Sequence, residues 1–211
     1  MLTFYDYKAS QNAWKVRQAL KHLAIPHRTV WVSIFEGAGQ AAEFRAINPT
    51  GAVPAIRLDD GRVLGESGAI LFYLADGTPY LADDSFLRAK VLQWLSFEND
   101  YGQNSIGSLR YWKLTGKQRP PELVEGKIAM AMRVLRIVDD ALASEPFLVG
   151  GRYTIADIAC FAYTHLADEA DLRLADYPNV VAWIARVRAQ PGFLDQVYPY
   201  SVDPHSANEL P

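Results

Sequence analysis

Cysteine is almost absent from the chain, in which Cys160 carries the single thiol. One thiol excludes an internal disulfide framework, a CxxC redox pair and any multi-cysteine zinc site. Cys160 lies in an apolar helical pattern, so we expect it to pack in a core and to be unreactive. Any thiol chemistry of this protein must therefore use a thiol that a ligand brings.

Membrane, nucleic-acid and metal signals are also missing. No apolar run approaches the ~18 residues of a membrane-spanning helix, and the first residues carry neither the basic stretch nor the long apolar stretch of a secretion signal. The net charge is -3 and the cationic residues are scattered, which disfavours nucleic acid as a partner. The four histidines lack metal-ligand spacing, and no P-loop or dinucleotide motif occurs. The sequence predicts a cytoplasmic protein without membrane, nucleic-acid or metal partners.

Two domains are expected, because 211 residues exceed the ~100 to 200 typical of one domain and half of them are hydrophobic. Patterns of alternating strands and helices fill the first part, and helical patterns fill the rest. The turn-forming residues of Ala75–Pro79 end the last helix of the first part. We therefore predict an α/β domain over 1–77, a boundary within 76–84 and an all-helical domain over 85–211.

The first domain has the predicted order βαβ, α, ββ, α. Asn12 is placed to cap the first helix, whose apolar face consists of Val16, Ala19, Leu20 and Leu23. The predicted strands are Leu2–Tyr5, Thr29–Val32, Ala55–Leu58 and Arg62–Leu64. The other predicted helices are Gln40–Ile47 and Ser67–Leu74.

The second domain is predicted to be a helical bundle, with coil after Gln190. Thr154 and Asp157 have the spacing of a capping box at the start of one helix, and we expect this box to serve folding. The predicted helices are 85–113, 121–143, 154–168 and 178–189.

Four segments carry a resemblance to a known family. They are Tyr7–Arg17, Asn48–Ile56 and Leu64–Ile70 in the first domain and Thr154–Asp157 in the second. Over nearly the whole chain the sequence resembles the cytosolic glutathione transferases, and its serine and asparagine loop is similar to that of bacterial members. The resemblance implies a thioredoxin-like first domain, an all-helical second domain, a homodimer, and glutathione as co-substrate in the detoxification of small electrophiles.

Val53–Pro54 and Glu66–Ser67 are segments in which the residues themselves favour a ligand. The proline holds Val53 extended, so that its backbone groups could pair with an extended peptide; the alternative is a plain turn before a strand. Ser67 at a helix start offers donors to a carboxylate, and Glu66 offers an anion to an amino group; the alternative is a simple helix cap. The resemblance implies that Val53 and Pro54 hold the cysteinyl part of glutathione and that Glu66 and Ser67 hold its γ-glutamyl part.

The loop before the first helix is expected to hold the reactive thiol. A thiol with a pKa of about 8.5 is mostly protonated at neutral pH, and a donor at a helix amino terminus would lower that pKa. Ser10 and Asn12 are the candidates, with Ser10 as the main donor; the alternative is that both only cap the helix. Tyr7 is a second choice for the donor, since some relatives use a tyrosine near the end of the first strand.

One departure from the family concerns the glycyl end of glutathione. Many relatives carry Lys or His in the stretch occupied here by Thr50-Gly51-Ala52, and this chain has neither. Gln40 is expected to take over that contact.

The acceptor substrate is expected between the two domains. Its predicted pocket residues are Tyr7, Tyr101, Asn104, Tyr111 and Trp112, although aromatic residues at helical spacing often belong to a core instead.

Three functions stay open on the sequence. The first is a transferase that activates the glutathione thiol for conjugation to, or reduction of, small hydrophobic electrophiles. The second is a protein of the same fold that binds or acts as a scaffold with little catalysis. The third is a glutathione-dependent disulfide reductase, which would need no cysteine of its own.

Overall fold

The structure, a computed structural model, describes residues 1–200. The chain divides into two compact units, of which the first contains Met1–Leu74 and the segment that begins at Leu194. The second unit is Ala75–Phe193. The domain bounds 1–77 and 85–211 stay a prediction. The return of the chain to the first unit from Leu194 onward was not foreseen from the sequence.

A four-stranded mixed sheet forms the centre of the first unit. Its order is β2-β1-β3-β4, with β1 parallel to β2 and antiparallel to β3, and with β4 antiparallel to β3. The strands are β1 (Leu2–Asp6), β2 (His27–Trp31), β3 (Ala55–Arg57) and β4 (Val63–Gly65). This topology confirms the predicted thioredoxin-like arrangement.

The helices of this unit are α1 (Gln11–His22), α2 (Ala42–Arg45) and α3 (Ser67–Ala75). The predicted helix Gln40–Ile47 is shorter than expected, because two 3-10 turns, Ile34–Glu36 and Ala38–Gln40, precede the single turn of α2. Gly37 lies between these turns with a φ of 84°, a conformation that interrupts a helix. Gln40 therefore belongs to a 3-10 turn and not to the second helix.

Helix α1 buries most of its apolar residues and also holds the returning tail. Trp14 is almost fully buried, and its indole N–H donates to the carbonyl of Leu194 at 2.9 Å. The N–H of Leu194 in turn donates to Oε1 of Gln18 at 2.7 Å. Two side chains of α1 thus fix the residue at which the tail joins the first unit.

The second unit is helical throughout its described elements. The predicted helix 85–113 is interrupted in its middle by a π-helical segment, Glu98–Gly107. The segment ends at Gly107, which lies close to the ring of Tyr163. A β-carbon at this position would lie 2.8 Å from that ring. The helices are α4 (Ser85–Phe97), α5 (Ser108–Thr115), α6 (Pro121–Ala141), α7 (Ile155–Thr164) and α8 (Pro178–Arg188), with 3-10 turns at Ala167–Ala170 and Leu174–Asp176.

The capping box predicted at the start of α7 is confirmed. Thr154 caps the helix, and its backbone N–H donates to Asp157 at 2.9 Å. Asp157 also accepts from the N–H of Leu148 at 3.0 Å and from the indole of Trp183 at 2.9 Å. Burial raises the pKa of Asp157 to about 6, and these donors oppose a larger rise. The carboxylate therefore ties α7 to the preceding loop and to α8.

His165 follows α7 and is buried in the same core. Its ring stacks on Phe161 at 4.1 Å, and Nδ1 donates to the carbonyl of Phe161 at 2.6 Å. Burial lowers the pKa of His165 to about 4; the bond to Phe161 opposes this shift, and the charges of Arg188 and Arg110 add to it. The folded chain therefore holds this imidazole neutral.

We expect acidification to weaken the fold through His165. The unfolded chain takes up this proton near the ordinary histidine pKa of 6.5, whereas the folded chain takes it up only near pH 4. Stability is therefore fully present above pH 6.5 and is lost as the pH falls, by about 2 kcal/mol between pH 7.5 and 5. Urea unfolding of the wild type and of His165→Phe at both pH values gives the free energies of unfolding. The difference in pH dependence between the two proteins isolates His165, because both proteins share the pH dependence that Asp157 causes. Equal pH dependence in the two proteins would contradict the expectation.

No helix within residues 1–200 is long and apolar enough to cross a membrane.

Candidate functional site

Sheet register brings three sequence segments to one end of the sheet. Tyr5 near the end of β1 lies opposite Ala55 at the start of β3. Ala55 in turn lies opposite Gly65 at the end of β4. The loop after β1, the Val53–Pro54 segment before β3 and the Glu66–Ser67 segment after β4 therefore share this end.

Ser10 is the residue that caps α1. Its Oγ accepts a hydrogen bond from the N–H of Ala13 at 3.1 Å, so the expectation that Asn12 caps this helix was wrong. Capping occupies a lone pair of the hydroxyl and leaves its hydrogen free to donate. Within the described residues, no group accepts that hydrogen. Capping and donation to a ligand are therefore compatible in Ser10.

Asn12 is oriented by a buried lysine. Lys15 is 1% exposed, and its Nζ donates to Oδ1 of Asn12 at 2.8 Å. Because an ammonium group can only donate, the contact fixes which end of the amide faces Lys15 and leaves Nδ2 as the outward donor. Among residues 1–200, nothing accepts from that Nδ2. Ser10 and Asn12 thus place two available donors in the first turn of α1, where the helix dipole also favours a negative charge.

Arg17 holds the loop that carries Ser10. Its guanidinium binds both oxygens of the buried Asp6, at 3.3 and 3.2 Å. The other nitrogen donates to the carbonyls of Lys8 at 2.9 Å and Ser10 at 3.3 Å. Burial raises the pKa of the Asp6 carboxyl, and the adjacent charge of Arg17 opposes that rise. The end of β1 and the start of α1 are therefore tied to one side chain.

The loop before β3 contains a cis bond between Val53 and Pro54 and is organised by Asn48. Asn48 is 5% exposed, and its Nδ2 donates to the carbonyl of Ala52 at 2.8 Å. Its Oδ1 accepts from the hydroxyl of Thr50 at 3.0 Å. One buried amide therefore sets the course of the chain that leads to Val53.

Gly39 and Gly51 cross with their backbones in contact. A β-carbon on Gly51 would lie 2.5 Å from the carbonyl oxygen of Gly39 and 2.6 Å from Nε2 of Gln40. A β-carbon on Gly39 would collide with the carbonyl oxygen of Gly51. The crossing brings the exposed Gln40 amide against the Thr50-Gly51-Ala52 stretch.

Glu66 and Ser67 begin α3 beside this loop. Gly65 packs on Asn48, since a β-carbon there would lie 3.2 Å from Oδ1 of Asn48. Glu66 has a φ of 63°, an uncommon conformation for a residue other than glycine, and its carboxylate is exposed. Strained residues of this kind concentrate at functional sites, and the feature supports a ligand contact at Glu66.

Tyr7 is buried, with its ring edge-on to Phe35 at 5.1 Å. It borders a cavity of about 380 Å³ in the first unit, which Lys8, Trp31 and Tyr198 also line. The Lys8 ammonium lies over the rings of Trp31 at 5.4 Å and Tyr198 at 5.7 Å. Tyr7 therefore directly follows β1 and lies next to the loop that carries Ser10.

The four predicted acceptor residues of the helical unit are not gathered in one cavity. Tyr101 borders a cavity of about 490 Å³ next to α6, whereas Trp112 borders another, of about 300 Å³. Tyr111 is buried, and Asn104 is exposed and accepts from Lys127 through its backbone and side-chain oxygens at 2.7 and 2.5 Å. The structure thus divides the residues that the sequence analysis grouped.

Gln11 is a site residue that the sequence analysis missed. It follows Ser10 directly and is 1% exposed. Neither amide atom of its side chain has a hydrogen-bond partner in the part of the chain that the structure describes. A buried amide in this state is one that a bound ligand or an ordered water would satisfy.

Between Met1 and Tyr200, no group of three or more His, Cys, Asp or Glu side chains is placed to hold a metal ion.

Comparison with known proteins decides the family. The family model for the glutathione S-transferase N-terminal domain matches residues 9–76, and the model for the C-terminal domain matches residues 121–186. A curated relative, the disulfide-bond oxidoreductase YfcG of Escherichia coli (strain K12), is 30% identical over 90% of this chain and 92% of its own length. The chain belongs to the glutathione S-transferase family.

Solved structures agree with this family assignment. The glutathione transferase is 37% identical to a glutathione S-transferase from Xanthobacter autotrophicus Py2, with a TM-score of 0.89 over 96% of this chain and 99% of that one. It is 26% identical to Ure2p, solved in complex with glutathione, with a TM-score of 0.84 over 90% of this chain and 96% of that one. These neighbours confirm the fold and the transferase class of the enzyme.

Several residues that shape the candidate site had no role assigned from the sequence. Lys15, Arg17 and Asn48 lie inside the segments that carried the family resemblance. Asn48 had a local signal, because asparagine side chains commonly bond to backbone groups a few residues further on and so shape turns. For Arg17 and Gln11 no comparable signal exists, since their contacts and burial depend on the folded loop.

Proposed function

We propose that the enzyme binds glutathione across the three segments at this end of the sheet and ionises its thiol at the amino terminus of α1. The observation that carries the proposal is the pair of available donors there, the hydroxyl of Ser10 and Nδ2 of Asn12. Two hydrogen bonds and the helix dipole would stabilise the thiolate and lower the thiol pKa from its usual ~8.5. Neither side chain would form a covalent bond.

The three parts of the glutathione peptide contact different residues of the site. The backbone of Val53 beside Pro54 pairs with the cysteinyl part of glutathione in the manner of an added strand. The first turn of α3 with Ser67 receives the γ-glutamyl carboxylate, and the exposed carboxylate of Glu66 receives the amino group. Gln40 donates to the glycyl carboxylate, a proposal supported by its amide lying against Gly51.

The proposed reaction is attack of the thiolate on a small hydrophobic electrophile. With an aryl halide, the S–C bond forms, the carbon–halogen bond breaks, halide leaves, and the thiol proton passes to solvent. Tyr7, Tyr101, Asn104, Tyr111 and Trp112 stay candidates for contacts to this acceptor, but a single acceptor would meet only some of them, because Tyr101 and Trp112 border different cavities.

Disulfide reduction is the second candidate, favoured by the relative whose name is disulfide-bond oxidoreductase. One glutathione thiolate would attack the disulfide and release a thiol, and a second would resolve the mixed disulfide to give oxidised glutathione. Cys160 is buried, so both thiols would come from glutathione. A binding or scaffold function with little catalysis has less support, since the available donors of Ser10 and Asn12 suit stabilisation of a thiolate.

We propose that the enzyme is cytoplasmic and forms a homodimer. Apolar side chains of α4, the π-helical segment and α6 surround the cavity of about 490 Å³ in the helical unit, among them Phe97, Tyr101, Met130 and Ile137. Tyr101 and Ile137 are 47% and 37% exposed, as expected of a surface that a second copy covers. Sedimentation velocity checks this point, because a species near the 23.5 kDa of one chain would contradict it.

The function is tested with purified wild-type protein. Titration calorimetry measures glutathione binding, and spectrophotometry measures turnover of a chromogenic aryl halide and of a small disulfide with glutathione. We expect saturable binding and turnover of at least one acceptor. Failure to bind glutathione together with inactivity toward both acceptors would overturn the proposal in favour of the scaffold function.

A further inference from the structure

Helix α1 carries two buried glutamines, Gln11 and Gln18, which are 1% and 0% exposed. Gln18 uses both ends of its amide. Its Oε1 accepts from the N–H of Leu194 at 2.7 Å, and its Nε2 lies 2.9 Å from Nε2 of His22. Gln11 has a partner for neither Oε1 nor Nε2 within residues 1–200. The two residues therefore share their side chain and their burial and differ in hydrogen bonding.

The amide of Gln11 costs the free protein stability. Burial removes water from a donor and an acceptor at once, and no hydrogen bond within the described chain replaces the water. An apolar side chain of the same length would avoid this cost. A sequence that breaks such a rule commonly does so at a functional site, where a ligand satisfies the group.

The position of Gln11 points to the proposed thiol site. It is the first residue of α1 and lies between Ser10 and Asn12, whose donors are available there. Side chains of a helix lean towards its amino terminus, so that of Gln11 extends towards the end at which these two donors lie. Three rotatable bonds allow its amide to turn to a bound molecule.

The chemistry of this amide selects a ligand that has both a donor and an acceptor. A thiolate can only accept, so the sulfur of glutathione could not satisfy Oε1 of Gln11. In the proposed binding mode, Val53 pairs with the N–H and the C=O of the cysteinyl residue. Neighbouring groups of an extended chain face the opposite side, which leaves the γ-glutamyl C=O and the glycyl N–H unpaired by Val53. One acceptor and one donor are what Nε2 and Oε1 of Gln11 require.

We propose that Gln11 binds the peptide backbone of glutathione, with Nε2 donating to the γ-glutamyl carbonyl and Oε1 accepting from the glycyl N–H. This inference rests on the proposed function and adds a contact residue to it. The free energy that the free protein loses by burying the amide unpaired is recovered in the complex. Gln11 therefore makes the free enzyme less stable and its complex with glutathione tighter.

The test replaces Gln11 by methionine, which has a similar length and no amide. We expect free Gln11→Met to melt at least about 2 °C above the wild type, because an unpaired buried amide is removed. Titration calorimetry should show glutathione bound at least about tenfold more weakly. Affinity for S-methylglutathione should fall by the same factor, since its peptide is unchanged. The thiol pKa of bound glutathione should stay at the wild-type value, in contrast to Ser10→Ala.

Gln18→Met is the matched control. Gln18 lies seven residues after Gln11, about two turns further along the same side of α1. The substitution removes an amide that has partners, so the free protein should melt below the wild type. Its affinity for glutathione should change by less than about twofold.

Two results with Gln11→Met would overturn the inference. A free variant that melts below the wild type, or does not fold, shows that the amide already has a partner in the free enzyme. A glutathione affinity equal to that of the wild type shows that the ligand does not use the amide. If the wild type itself binds no glutathione, the proposed function fails and this contact fails with it. Binding by the wild type and equal binding by Gln11→Met overturn the contact alone.

Discussion

Replacement of Ser10 by alanine is expected to lower kcat/KM for glutathione and a chromogenic aryl halide by on the order of a hundredfold or more. The hydroxyl caps α1 through its lone pair at 3.1 Å from the N–H of Ala13 and keeps its hydrogen for the thiolate. Without that donor, the pKa of the bound thiol rises towards its usual value, and less thiolate is present at neutral pH. The loss should shrink as the pH is raised, because more thiol then ionises unaided. Thiolate absorbance of bound glutathione across pH measures the shift directly.

Two further substitutions at Ser10 separate donation from capping. Ser10→Thr keeps both roles and should retain most activity. Ser10→Asp keeps a good capping group, offers no hydroxyl and adds a negative charge, so it should fold as stably as the wild type and lose activity. Ser10→Ala should also lose about 1 kcal/mol of stability with the cap. Full activity in Ser10→Asp would show that the hydroxyl is only a cap.

Asn12→Ala is expected to raise the pKa of the bound glutathione thiol and to lower kcat/KM, as Ser10→Ala does. Lys15→Met should reproduce part of the loss, since the ammonium of Lys15 fixes the orientation of the Asn12 amide at 2.8 Å. If both variants retain the thiol pKa of the wild type, Ser10 alone activates glutathione.

Replacement of Gly51 by alanine is expected to lower the free energy of unfolding by about 3 kcal/mol or more, which is a larger loss than for Ser10→Ala or Gly37→Ala. Gly51 has a φ of 70°, and its β-carbon would lie 2.5 Å from the backbone of Gly39. The unfavourable backbone conformation costs about 1 to 2 kcal/mol, and the overlap adds to it because a backbone atom cannot rotate away. Glutathione affinity should fall as well, since the crossing positions both Gln40 and the loop before Val53.

Gly37→Ala is the matched control for this variant. Gly37 has a φ of 84° and open space around the position of a β-carbon, so its replacement brings the backbone strain alone. Urea unfolding and glutathione titration of both variants measure the difference. A Gly51→Ala protein no less stable than Gly37→Ala would show that the two backbones can separate without harm.

The parts of the fold that followed from the sequence are those set by local patterns. Alternation and turn residues located all four strands within about two residues, and helical periodicity located the long helices. The capping box at Thr154 was visible because its two partners are three residues apart. The π-helical stretch at Glu98–Gly107 was not foreseen, and its last residue packs closely on Tyr163, which is distant in sequence.

The candidate site was predicted in outline for a different reason. Ser10, Asn12, Val53 and Glu66 lie in short segments whose residue types suit a peptide ligand, and the family resemblance connected them. What holds those segments could not be foreseen. Arg17 reaches the carbonyls of the Ser10 loop across about two turns of α1 and pairs with a strand residue, and such contacts exist only after the sheet has formed.

The bonds from Trp14 and Gln18 to Leu194 have a consequence for the order in which the protein can be completed. The sheet and α1 leave the ribosome early, but the residue that joins these two side chains lies 180 and 176 positions later in the chain. Domains commonly fold in the order of their synthesis, so the first unit would begin folding while still lacking this segment. A nascent chain halted before Leu194 would therefore lack the two hydrogen bonds that Leu194 makes with Trp14 and Gln18. Synthesis of Leu194, and not of the sheet alone, is therefore needed to complete that unit.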